Sequence, residues 1–546
     1  MKKTLATVLA ILMVFAMLAG CGNVSDAQAP ANDSAQADSS APEPTKAPDP
    51  TKAPDPTAAP TPEAPVDPPV TITVMFCGTN VSDDSAVVAG INERLAELGA
   101  NIQFKGIWED WGGTLGPRAA NALDSGDTSI DIYWTASWGH PYVPFAKRGA
   151  YVRLDDPNNN LLEMYGKDMR AAIPDLLWDG WVVEGPSGKG IYGVPGYKDY
   201  ATYYTWDINN TLLSELGFNF DDFEWNTKTF YDPKFAEALA AAKAAKGDSF
   251  YPLMVEAEVM ARKLNCSDVD PTDLGILMIP FDQDNPASPA KPVITSRLDD
   301  PGYLAYIEKM REYYLAGYVD PRLAIHDEAA DAIPEIRLSA EYLFGSRVYA
   351  YGHDAQASLE RGIDARFPTM CKPFVSTSGV QGSGFALSSY SPNKEAAVQF
   401  MNLWMSDSKL MSLLTYGVEG IHYSTNADGT VTLLPEKDAY GTWFNGMGNI
   451  FILPPQDVNG PNYFKEYKAY NEAGIPTALM GFVFDPEPVE NEIAALLSVS
   501  RQYNAPILTG SVDPAVAVPE FKQMLEANGL PRLLVEINRQ VDEFFR

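Results

Sequence analysis

Aromatic side chains gather at a few places in this sequence in a pattern that suits one kind of chemistry. Trp134 and Trp138 stand close together with His140 and Tyr142 just beyond, Tyr197, Tyr203, Tyr204 and Trp206 follow downstream, and Trp443 stands much further along. Flat rings meet the apolar C–H faces of a saccharide, and a few oriented polar groups take its hydroxyls. Asp131, Ser137, Lys198, Asp199, Glu419, Asn445 and Asp485 are the polar candidates. A carboxylate among them would accept from paired hydroxyls. The competing reading is that most aromatics are core. Tyr203, Tyr204 and Trp206 lie in an expected strand, so alternate ones are expected to be buried. Asp131 reads better as a strand-end cap than as a ligand contact. Glu419, flanked by Gly417 and Gly420, reads as a close approach of backbone to a ligand or to another part of the chain. The binding set taken forward is Trp134, Ser137, Trp138, Tyr197, Lys198, Tyr203, Glu419, Trp443, Asn445 and Asp485, with no catalytic residue.

Other chemistries find little support. His140, His326, His353 and His422 stand alone and no Cys-x-x-Cys occurs, so no metal site and no cofactor are expected. The acidic run Asp155-Asp156-Pro157-Asn158-Asn159-Asn160 fails as a calcium loop: counted from Asp156, the positions that need Gly and Glu hold Leu161 and Lys167. It reads instead as a helix N-cap cluster. No phosphate loop, nucleophile elbow or His-Glu-x-x-His helix is present. Asp485 and Glu487 lie near each other, as a glycosidase pair would, but sequence proximity does not set the carboxylate separation such an enzyme needs.

Lys+Arg 40 against Asp+Glu 72 gives a net charge of -32. Such a surface repels phosphate backbones and anionic lipid heads, which argues against nucleic acid and against peripheral membrane binding. The N-terminus has its own logic. Met1-Lys2-Lys3, an apolar run and Leu18-Ala19-Gly20-Cys21 are the parts of a secretory signal over residues 1–20, with a lone cysteine at the break. The motif looks like a bacterial lipobox, which implies lipidation of Cys21 and a place on the extracellular face of the cell membrane, with the lipid as the only membrane contact. Residues 21–69 are rich in Ala, Pro, Asp, Ser and Thr, and Thr45–Pro50 is repeated as Thr51–Pro56. With almost no large apolar side chain, this stretch reads as a Pro-rich disordered spacer. Cys77, Cys266 and Cys371 remain, an odd set that allows at most one disulfide.

The body that must position the aromatics opens as α/β. A β-branched run at 70–76, a helical pattern at 82–98, a strand at 102–107, a helix at 113–124 and a strand at 130–134 follow one another, the signature of right-handed parallel units. In such sheets ligands sit beyond the carboxyl ends of the strands, which puts residues 135–142 at the mouth. A helix is expected at 161–175 and a Gly-rich hairpin at 182–195.

Several segments taken together resemble one family. They are the run from Asp131 to Asp156, Gly190-Ile191-Tyr192-Gly193-Val194-Pro195 with Leu213 to Gly217, and Phe344-Gly345-Ser346-Arg347-Val348-Tyr349-Ala350-Tyr351. They continue with Gly382 to Leu387, Ser391 to Ala397, Leu414 to Tyr423 and Gly481 to Asp485. These are similar to the extracellular solute-binding proteins of ABC importers, family 1, the group that includes maltodextrin-binding proteins, and to its large lipoprotein subgroup with a distinctive C-terminal region. The spacing around Gly345 is shifted, and Tyr351 replaces the usual small or sulfur residue. The resemblance implies a periplasmic-binding-protein type of fold, two α/β lobes joined by a multi-crossing hinge near 195–200 and 375–385. Its expected domains are 70–196 and 379–440 in lobe 1, 197–378 in lobe 2, and 441–546 as a C-terminal region mainly of lobe 2 with closing helices. It further implies a monomer that delivers a small-molecule ligand, an oligosaccharide first among candidates, to ABC permease subunits. The alternatives are a tethered glycoside hydrolase or lyase, and a receptor for a sensor kinase.

Overall fold

The computed structural model describes residues 68–110, 115–349 and 351–546. The expected signal sequence, Cys21 and the expected spacer through residue 67 lie outside the described residues.

Eight strands build the two main sheets: β1 (Val70–Phe76), β2 (Ile102–Trp108), β3 (Ile132–Thr135), β4 (Val194–Pro195), β5 (Tyr203–Asn209), β6 (Phe344–Tyr349), β7 (Ala365–Arg366) and β8 (Gly384–Leu387). The first sheet runs β2-β1-β3-β8-β4. β1 pairs in parallel with β2 from Val70↔Ile102 to Phe76↔Trp108, and with β3 at Val74↔Ile132. The return strand β8 is antiparallel to both of its neighbours, with Gly384 opposite Thr135 and Pro195. Helices α1 (Ser85–Glu97) and α2 (Leu115–Ser125) cross between the parallel strands, as their apolar spacing demands. α1 turns Val87, Ile91 and Leu95 inward. The expected helix at 161–175 is three short helices at 161–165, 167–172 and 175–179, broken at Gly166 and before Pro174. Asn160 caps the first by accepting from the Glu163 N–H.

Two apolar cores lie in the described body. The first holds this sheet and a ring cluster of Phe76, Phe104, Trp108, Phe385, Phe400 and Trp404. The second surrounds the sheet β6-β5-β7, in which β5 is antiparallel to both partners. The chain passes from the first core to the second between Tyr203 and Tyr204, returns between Phe374 and Val375, and passes over again between Tyr467 and Leu479. The stretch 441–546 is therefore divided: Met447 to Tyr467 pack in the first core and Leu479 to Val541 in the second. The last three helices, Glu490–Leu508, Pro514–Ala527 and Leu530–Phe544, close the second core. Leu530, Leu533, Ile537 and Val541 form the buried stripe of the final helix, at the spacing of one helical face.

Alternation along β5 is not found: all seven residues from Tyr203 to Asn209 are buried. A strand covered on both faces loses the half-wet pattern on which the expectation rested. Cys77, Cys266 and Cys371 are free and buried.

Candidate functional site

Strand ends converge at one edge of the first sheet. β3 ends at Thr135, β4 ends at Pro195 and β8 begins at Gly384, all in register with one another. The loops leaving this edge, 136–140, 196–202 and 376–383, are thereby brought side by side, and the segment 441–450 packs over them. Ser137 donates from its backbone N–H to the Gln381 carbonyl at 2.9 Å and from its hydroxyl to the Ser378 carbonyl at 2.9 Å. The Gly196 N–H donates to the Ser383 carbonyl at 2.9 Å, and the Ile450 N–H to the Tyr197 carbonyl at 3.0 Å.

Three tryptophans meet on this platform. Trp134 and Trp138 have ring centroids 5.4 Å apart, Trp138 and Trp443 5.9 Å, and Trp134 and Trp443 6.2 Å, each pair edge to face. That geometry sets the positive edge of one ring on the negative face of the next. Trp134 is buried, its indole N–H donating to the Ser383 hydroxyl at 2.9 Å, so it serves as the floor. Trp138 is 55% exposed, and its N–H is held by the Gly382 carbonyl at 2.8 Å. Few apolar rings of this size stand so open and so well held. Trp443 is half-buried and lies so close over Gly446 that a Cβ there would fall 2.2 Å from the ring. Only glycine permits that approach.

Polar groups border the rings. Lys198 is buried and donates to the Asp199 carboxylate at 2.7 Å, so the pair is self-neutralised. Tyr197 packs on Phe451 at 4.5 Å, and burial pushes its phenol up to about 12. Asn445 Oδ1 is buried with no protein donor. Asn471 clamps the crossing: its Nδ2 donates to the Lys198 carbonyl at 2.8 Å, and its Oδ1 accepts from the Tyr200 N–H at 3.2 Å.

The remaining sequence candidates are held elsewhere. Tyr203 stacks on Tyr470 at 3.6 Å and donates to that residue's carbonyl, a packing role in the first core. Glu419 is exposed on a tight turn, where its carboxylate accepts from Thr425 at 2.5 Å. Its two glycines serve the turn itself, with φ of 94° and 82°, and His422 Nδ1 closes it by accepting from the Val418 N–H. Asp485 pairs with Lys147 at 2.9 Å. Tyr204 and Trp206 belong to the second core. Asp131 is a cap: it accepts from the Thr73 N–H at 2.8 Å and from the Ser391 hydroxyl at 2.5 Å.

A group that the sequence reading missed is a tyrosine cluster of Tyr349, Tyr351, Tyr463, Tyr467 and Tyr470 beside Tyr203. The signal was available, since Tyr463, Tyr467 and Tyr470 recur at the spacing of one helical face and do lie on the helix Tyr463–Glu472. A separate cavity of about 250 Å³, lined by Tyr151, Arg153, Asp156, Ser187, Tyr192 and Ser389 among others, touches none of the tryptophans.

Residues 478–546 match the family described as a domain of unknown function, DUF3502. Over 481 residues the chain is 24% identical to a carbohydrate ABC transporter substrate-binding protein of Streptococcus pneumoniae serotype 4, covering 84% of this chain and 88% of that one. Its fold is similar to that of the N-glycan transport solute-binding protein NgtS of the same organism, with a TM-score of 0.68 and 22% identity over 87% of this chain and 99% of the other. NgtS in complex with Man1GlcNAc gives 0.66. An HMO-binding, ABC-transporter-associated solute-binding protein of Bifidobacterium longum infantis is similar at 0.57 and 16% identity, over 88% of this chain and 99% of that one. The α/β body thus has the periplasmic solute-binding fold.

Proposed function

We propose that this chain, a solute-binding protein of the kind that serves carbohydrate ABC importers, captures an oligosaccharide against Trp138 and Trp443 and hands it on intact. The observation that carries the reading is the half-open tryptophan platform at the shared strand edge, with Trp138 exposed and fixed by its N–H. Trp138 and Trp443 offer faces to sugar rings, while Trp134 supports them from below. Lys198, Asp199 and Asn445 supply donors and acceptors for hydroxyls. Among the similar proteins, the N-glycan transport solute-binding protein, in complex with Man1GlcNAc and with Man5GlcNAc, and the HMO-binding protein point to ligands of the same class.

In this reading the two cores are the two lobes, and the three passages between them form the hinge. Ligand selects the closed arrangement because it touches both lobes only when they are shut. The closed protein then docks on the permease. Cys21 carries the lipid that anchors the protein on the outer face of the membrane. The protein itself performs no chemistry on the sugar.

Isothermal titration with a panel of neutral oligosaccharides tests this. Binding should be saturable, and Trp138→Ala and Trp443→Ala should each weaken it by about tenfold, or ~1.4 kcal/mol. No binding to any member of the panel, or unchanged affinity in both variants, would sink the platform.

A further inference from the structure

The interior of the second core holds cations that its own carboxylates do not satisfy. Backbone pairing sets the elements that carry them side by side. Residues 253–254 run beside β6, with the Met254 N–H donating to the Phe344 carbonyl, and lead into the helix Ala257–Leu264. Lys263 on that helix is fully buried, and its Nζ finds no acceptor. Arg347 stands on β6 opposite Thr205, on the same sheet face as Asp207, and its guanidinium lies over the Phe367 ring at 5.3 Å. Its Nε is buried without an acceptor, as is the Nε of Arg337. The carboxylates within reach are already engaged: Glu256 takes Arg337 at 2.6 Å, and Asp207 takes Arg361 at 3.0 Å.

Burial lowers the basicity of both Lys263 and Arg347; Glu256 offsets part of this for Lys263 and Asp207 for Arg347, while the neighbouring cations Arg337, Arg262 and Arg347 lower Lys263 further, and Arg337 and Arg361 lower Arg347. Unpartnered donors of this kind are costly unless an acceptor joins them. Arg337, the neighbour that holds Glu256, has its side chain 26% exposed.

We propose that a small oxyanion, of carboxylate, sulfate or phosphate type, binds in the second core against Lys263 Nζ and Arg347 Nε. It supplies the acceptor that the chain lacks and stabilises the lobe from within. The site is distinct from the tryptophan platform and does not rest on the oligosaccharide reading.

Thermal unfolding of the full chain at constant ionic strength provides the test, with sodium chloride replaced stepwise by sulfate, phosphate or acetate. For at least one of these anions the Tm should climb with the logarithm of concentration, as mass action on the folded state requires. The climb should vanish in Lys263→Met and shrink in Arg347→Gln, while oligosaccharide titration of both variants stays at the wild-type value. Lys263→Met should also unfold at a higher Tm than the wild type in oxyanion-free buffer, because an unpaired buried amine is gone. Equal climbs in wild type and variants would assign the effect to the salts as solvent and overturn the site, as would no climb with any anion. If Lys263→Met does not fold, Arg347→Gln decides by the same comparison. Loss of oligosaccharide binding by the wild type would defeat the platform and leave this result untouched.

Discussion

Trp134 and Trp138 are four positions apart and have opposite duties. Trp134 lies next to the end of a buried strand, with 1% of its surface exposed, and Trp138 stands open in the loop that follows. The Trp138→Ala loss should therefore appear in affinity with little change in stability. Trp134→Ala should unfold more easily by about 3–5 kcal/mol, as for other fully buried large rings. His140, on the same loop, titrates against the fold. It is 1% exposed, its Nε2 meets the Tyr151 hydroxyl at 2.7 Å, and burial, with a smaller contribution from Arg148, lowers it to about 4. The unfolded chain, with an ordinary histidine, takes up its proton first as the pH falls. The stability that neutral His140 contributes is complete above about pH 6.5 and is lost progressively toward pH 4, with a ceiling of ~3 kcal/mol. Urea unfolding at pH 7 and pH 5 should show a smaller acid loss in His140→Gln than in the wild type, and equal losses would exclude His140 as a cause.

The helix Tyr463–Glu472 joins the crossings to the tyrosine cluster. Tyr463, Tyr467 and Tyr470 face Tyr351, Tyr349 and Tyr203, while Asn471, also buried, ties the backbone at Lys198 and Tyr200. Asn471→Ala removes both sides of that clamp and leaves buried peptide groups unpaired, at a cost of about 1–3 kcal/mol for each group so exposed. Denaturant unfolding should register the loss, and sugar affinity should fall with it, because Lys198 and Tyr197 are displaced. A variant with wild-type stability would mean that water replaces the amide. The Lys147–Asp485 pair is different. With side chains 26% and 40% exposed, it is worth ~1 kcal/mol or less.

Two cores linked by three passages of chain give the molecule a natural place to bend. The Cys21→Ser protein, collected from the medium, should contract on adding a bound oligosaccharide, seen as a smaller radius of gyration in small-angle scattering. An unchanged radius at saturation would argue against closure. The parallel opening of the first sheet was legible in the sequence because β1, α1 and β2 announce themselves by β-branched runs and helical spacing, each within a short window. The tryptophan platform was legible only in part. Trp138 and Trp443 could be named, but their contact joins segments more than three hundred residues apart, and local periodicity holds no record of that.

By itself, the sequence determined the composition of residues 1–69, the alternation of strands and helices that opens the first sheet, and the ring types that suit a sugar. These follow from short-range patterns of size, charge and branching, which the chain carries residue by residue. Only the tertiary structure decided which rings are floor and which are face. It gave Tyr203, Glu419 and Asp485 partners within the chain, and it buried Lys263 Nζ and Arg347 Nε without acceptors. Those outcomes depend on pairings between distant strands and on which faces end up covered, and burial alone fixes whether a side chain meets water, core or ligand.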